Sequence, residues 1–177
     1  MKKFSAFLFV AVVVIFFGST SFAPAEKAKI HWLTINECKE LYKKEPRPIL
    51  IDVYTQWCVW CKEMDKKTYN KSEVVNYINS HYYPVKFDAE SLDSIEWNNK
   101  KYGFNKAYKT NEFAFYLTAG FVNFPNTVLL SAISSEPASI PGYLKPSELE
   151  APLRFFGEGH YKKESFQDYY KNFNAQW

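Results

Sequence analysis

The run Trp57-Cys58-Val59-Trp60-Cys61 constrains this chain more than any other stretch, because of what lies on either side of it. Two cysteines separated by two residues can close a disulfide within one turn. Residues 48–54 before them read as a buried strand, and residues 62–67 after them read as helix. The strand therefore delivers Cys58 to a helix N-terminus. Unpaired backbone N–H groups and the helix dipole favour negative charge there, and the thiolate is the reactive form of cysteine. Strand, short turn, dithiol and helix form the expected core, with Cys58 and Cys61 as a redox switch.

The chain begins with the pattern of an export signal. Lys2 and Lys3 precede an apolar run over residues 4–17, and small residues follow around Ala23-Pro24-Ala25. At about 14 residues the run is shorter than the roughly 20 that span a bilayer, so cleavage after Ala25 is expected rather than a membrane anchor. The remaining residues 26–177 are then exported, in a compartment where disulfides persist. No stable membrane insertion is expected after cleavage. With 177 residues, 47% of them hydrophobic, the chain suits one globular domain. A net charge of +3, part of it in the signal, leaves no basic patch and excludes nucleic acid as a partner.

Periodicity and breakers supply the other elements. Residues 30–33 suggest a short edge strand, and a helix capped by Thr34 follows, ending before Pro46 and Pro48. Helix resumes from Ser72, and residues 83–88 read as the next strand. Residues 89–110 are read as an insertion, with a small hairpin around Asn98-Asn99. A helix over 111–119 stops at Gly120, and the run 121–130 leads into a strand with Pro125 at its start. Residues 139–143 read as the last strand, placed at a sheet edge by Pro141, and 147–156 as the helix after it. In the tail, Phe166, Tyr169, Tyr170 and Phe173 fall at helical spacing and predict an extra C-terminal helix, within an extension over about 160–177, packed on its own domain.

Four features in sequence order resemble the thioredoxin superfamily, and specifically its exported bacterial branch with soluble disulfide reductase domains. They are the Trp-Cys-x-x-Cys-Lys motif at 57–62, the acidic Asp52 in the preceding strand, Lys86-x-Asp88 at a strand end, and Phe124-Pro125-x-Thr127 opening a later strand. The resemblance implies an α/β, thioredoxin-like fold: a central mixed β-sheet flanked by helices, with the insertion before the proline-bearing strand. It also implies a cis Phe124–Pro125 bond facing the dithiol, which leaves the Phe124 backbone free to hold an extended substrate.

The resemblance and the sulfur chemistry together imply a thiol:disulfide oxidoreductase. Cys58, expected to be the more exposed and lower-pKa thiol, attacks a substrate disulfide, and Cys61 resolves the mixed disulfide. Asp52, buried on its strand, is expected to have a raised pKa and to accept the Cys61 proton, with Lys86 as a partner that moderates the shift. Trp57, Trp60, Phe124 and Pro125 are the expected substrate-binding surface. Trp60 stands where the best-known members carry proline, so their redox potential does not carry over. The absence of histidine or lysine at Val59-Trp60 points to a reductase rather than a strong oxidant.

The expected partners are proteins with disulfides and an upstream thiol electron donor or acceptor, and the expected state is a monomer. No cofactor is expected beyond the redox-active pair. Zinc would need a second cysteine pair, His31, His81 and His160 are scattered, and no methionine or histidine cluster suits copper. Cys38, on the apolar face of its helix, reads as a small buried hydrophobe. An oxidant, an isomerase, or a protein-binding module of the same fold would use the same motif, and these alternatives stay open.

Overall fold

The computed structural model describes residues 28–177. The expected signal and its cleavage point lie outside the described residues. The first helix, α1 (Ile35–Lys44), opens with a capping box: Thr34 accepts from the Glu37 backbone N–H, and the Glu37 carboxylate accepts in return from the N–H of Thr34. Strand β1 (Ile49–Tyr54) runs into the dithiol and α2 (Val59–Lys67), and α3 (Ser72–His81) completes the crossover to β2 (Tyr83–Asp88). Such a crossover permits the observed parallel pairing of β1 with β2.

Between β2 and the second half of the sheet the chain makes two hairpins. The first joins β3 (Ile95–Trp97) to β4 (Lys100–Tyr102) through Asn98 and Asn99, both at positive φ, the backbone that a two-residue hairpin turn demands. The second joins β5 (Phe104–Asn105) to β6 (Thr110–Asn111). Helix α4 (Glu112–Leu117) follows and is stopped by Ala119 and Gly120 at positive φ. Strand β7 (Asn126–Leu130) then pairs antiparallel with β1, and β8 (Ala138–Pro141) lies at the edge. The sheet order is β2–β1–β7–β8, and α5 (Pro146–Gly157) and α6 (Phe166–Lys171) end the chain.

Alternation along the strands divides the core into two layers. Ile49, Ile51, Val53, Val85, Phe87, Val128 and Leu130 face α1, α4 and the first hairpin, where Cys38, Phe113, Leu117 and Trp97 close the layer. Leu50 and Leu129 face the opposite side, against Met64 of α2, Val74 and Ile78 of α3, and Leu149 of α5. With both faces covered, β1 is buried along nearly its whole length. This mixed sheet flanked by helices is the thioredoxin-like α/β architecture. Among the described residues no helix is long and apolar enough to cross a membrane.

Two expectations are corrected. Residues 30–33 form no strand, only a single bridge from Leu33 to Val85, because α3 captures the neighbouring backbone: Asn79 accepts from the His31 N–H and donates to the Lys29 carbonyl. The aromatic tail is helical only over Phe166–Lys171. Its final residues leave the helix because the buried carboxylate of Glu150 accepts the backbone N–H groups of Gln176 and Trp177. The aromatic face still packs on its own domain, with Phe166 and Tyr169 against Phe155.

Candidate active site

Cys58 is the N-cap of α2, and its Sγ accepts the Cys61 backbone N–H at 3.0 Å. A sulfur in this position meets the orphan donors of a helix start, which lower the cost of negative charge on it. Cys58 and Cys61 are joined as a disulfide. The expectation that Cys58 is the more exposed residue is corrected: both are 5% exposed. Position therefore separates their roles, since Cys58 caps the helix while Cys61 lies one turn inside it.

Behind the dithiol a polar row crosses the buried sheet. Lys86, Asp52 and Thr127 are register neighbours on β2, β1 and β7. Alternation places Asp52 on the same face as Leu50, toward α2. Lys86 Nζ lies 3.3 Å from Asp52 Oδ2 and also bonds to Asp65 on α2, while Trp32 and Tyr54 flank the ammonium at 5.1 and 5.2 Å from their ring centres. Thr127 Oγ1 shares a hydrogen bond with the buried Tyr69 hydroxyl, whose pKa burial raises well above its usual value.

Burial pushes the Asp52 carboxyl from its usual 3.8 up to about 6; Lys86 pulls against the rise and Asp65 adds to it. Its Oδ1 is buried with no hydrogen-bond partner among the described residues. A carboxyl in this state exchanges a proton near neutral pH. Cys38 is different in kind: it is fully buried and its thiol is pushed by burial to about 12, the state of an inert packing residue.

Around the sulfurs the surface is aromatic. Trp57 and Trp60 are 63% and 61% exposed. Trp57 meets Phe124 edge-on at 6.1 Å and donates its indole N–H to Glu90, while Trp60 lies 5.8 Å from Tyr143. The Phe124–Pro125 bond is cis. The backbone N–H and C=O of Phe124 have no hydrogen-bond partner among the described residues. Of the eight residues singled out in the sequence, Cys58 and Cys61 are bonded at the start of α2, Asp52 and Lys86 are paired across β1 and β2, Trp57 meets Phe124 of the cis Phe124–Pro125 segment, and Trp60 meets Tyr143.

Asp65, Glu90 and Tyr143 were not legible as site residues. Asp65 had a signal, since four residues after Cys61 is the same helix face. Glu90 and Tyr143 had none, because each reaches the site from the far end of another strand.

Comparison with known proteins agrees with the fold. The model of the family described as Thioredox_DsbH, protein of unknown function, DUF255, matches residues 16–123. The thiol:disulfide interchange protein DsbD of Pectobacterium atrosepticum is 30% identical over 66 residues, 33% of this chain and 11% of that protein. The chain thus spans about a tenth of the curated relative it matches. Among solved structures, a DsbH oxidoreductase has a TM-score of 0.54 at 15% identity, covering 80% of this chain and 93% of that one. A thioredoxin from Thermus thermophilus has a TM-score of 0.54 at 14% identity, covering 77% and 99%. A thioredoxin-fold protein from Helicobacter pylori has 0.52 at 18%, covering 71% and 78%. At these identities the structures speak to the fold alone.

Proposed function

We propose, since this chain belongs to the Thioredox_DsbH family and is a thiol:disulfide oxidoreductase of the thioredoxin superfamily, that it works as a reductase of disulfides in exported proteins. The observation that carries the reading is Cys58 at the N-cap of α2, its Sγ accepting the Cys61 N–H, with a buried carboxyl on the preceding strand whose pKa has risen to about 6.

In the dithiol form, the Cys58 thiolate attacks one sulfur of a substrate disulfide. A Cys58–substrate S–S bond forms as the substrate S–S bond breaks, and the other substrate sulfur leaves as a thiolate. Asp52 takes the proton of Cys61, and the Cys61 thiolate attacks Cys58 Sγ. That step releases the second substrate thiolate and leaves the Cys58–Cys61 disulfide. An upstream thiol donor returns the pair to the dithiol. Lys86 keeps the Asp52 pKa from rising further, and Asp65 holds Lys86 in place. Trp57, Trp60, Phe124 and Pro125 receive the substrate, with the unpaired Phe124 backbone offering it a strand-like partner.

The direction of electron flow rests on the residues between the cysteines, because Val59 and Trp60 add no cation that would stabilise the reduced form. Equilibration with glutathione tests it. A potential near about −270 mV is expected, and one near about −120 mV would identify an oxidant instead. Cys58→Ser should abolish disulfide reduction, and Cys61→Ser should trap the mixed disulfide with substrates.

A further inference from the structure

Between α4 and the two hairpins lies a cleft of about 740 Å³ that the reaction described above does not use. One wall is α4, through Glu112, Phe115 and Tyr116, and the other is the hairpin pair, through Lys100, Tyr102 and Tyr108. Its rings are already paired across the walls: Tyr108 meets Phe115 at 5.4 Å and Tyr102 meets Tyr116 at 5.4 Å. The Lys100 ammonium sits 5.0 Å from the centre of the Tyr102 ring. A cleft of this size is in the range that accommodates a ligand rather than a few waters.

Backbone hydrogen bonds tie the walls of the cleft to the strand end that leads into the dithiol. Ala89 donates to the Tyr54 carbonyl at the end of β1, and Asn111 donates to Ala89 in turn, so the second hairpin is tied to the rim from which the dithiol projects. The Asn111 side chain caps α4 and also donates to the carbonyls of Ser91 and Asp93, which ties the start of α4 to the loop ahead of the first hairpin. Gly120 lines the end of the cleft, and residues 121–124 run from it directly to Pro125, with Phe121 standing 76% exposed along the way.

We propose that this cleft is a second substrate subsite that holds an extended, aromatic- or proline-bearing segment of the polypeptide flanking the disulfide being reduced. The chemistry of the lining selects that occupant. The edge-on Tyr108–Phe115 pair takes apolar side chains, the exposed Tyr108 hydroxyl hydrogen-bonds a peptide backbone, and one cation balanced by one anion offers nothing to a phosphate or nucleic acid. The proposal rests on the oxidoreductase reading and extends it from the sulfurs to the substrate chain around them.

Two measurements test it. In steady-state reduction, Tyr108→Ala and Phe115→Ala should lower kcat/KM for insulin by about tenfold, through KM, as truncating an aromatic anchor does. Both should leave reduction of bis(2-hydroxyethyl) disulfide unchanged. Equal rates on insulin, or parallel losses on both substrates, would overturn the subsite, whereas a wild-type protein inert toward the small disulfide would overturn the oxidoreductase reading instead. The second measurement needs no turnover. Carboxymethylated insulin B chain, which has no disulfide, should shift the NMR ring signals of Tyr102, Tyr108 and Tyr116 in the wild-type protein. Absence of those shifts, or shifts produced by maltohexaose and not by the peptide, would refute a polypeptide subsite.

Discussion

Replacing Asp52 with asparagine should stabilise the oxidised protein at neutral pH while damaging its chemistry. The carboxyl is buried, and its pKa rises from 3.8 to about 6 on folding. Below 3.8 it is protonated in both folded and unfolded chains and contributes no pH dependence. As pH rises through that value the unfolded chain gives up its proton first, and the native state keeps its own until about 6. Native stability therefore falls across this window and then stays lower. At about 1.4 kcal/mol per pH unit, the penalty above pH 6 is about 3 kcal/mol. Asparagine cannot ionise and escapes it. Urea unfolding of wild-type and Asp52→Asn proteins, both oxidised, should show the variant gaining about 2–3 kcal/mol relative to wild type between pH 4 and pH 7.5. The comparison between the two pH values cancels any fixed cost of placing an amide beside Lys86. A relative stability that does not change with pH, or that falls as pH rises, would refute the burial argument. Activity should move the other way, with resolution of the mixed disulfide slowed and its pH dependence near 6 lost.

Lys86→Met removes the charge that holds the Asp52 pKa down, so carboxyl NMR should find Asp52 titrating above about 6; an unchanged or lower value would contradict the ion pair. Cys38 should resist iodoacetamide at pH 8 in the native protein and react fully in denaturant, while rapid native labelling would show that its thiol is not buried as described. Glu150→Ala removes a buried acceptor shared by Arg154, Gln176 and Trp177, and should cost about 3 kcal/mol. It should also open the C-terminus to carboxypeptidase, and an unchanged Tm with a protected Trp177 would show that the tail is held elsewhere.

Much of the fold was legible because its signals are local. The Thr34 cap, the strand at Tyr83–Asp88 and the hairpin at Asn98-Asn99 each depend on residues within a few positions of one another. Propensity and turn chemistry act at that range. Where local pattern failed, a distant group had intervened. Asn79 of α3 took the backbone partners that residues 29–31 needed for a strand, and Glu150 of α5 ended the tail helix early. The first of these lies 48 residues from His31, and no window of sequence could contain both.

The site divides in the same way. The sequence by itself determined the dithiol, its place at the start of α2, the buried acid one strand behind it and the proline segment, because each is a residue type tied to a local element. Only the tertiary structure decided that Lys86 reaches Asp65 as well as Asp52, that Glu90 holds Trp57, that Cys58 and Cys61 are equally buried, and that two hairpins and α4 enclose a cleft. Strand register and layer packing set those distances, and they bring together side chains that are remote along the chain.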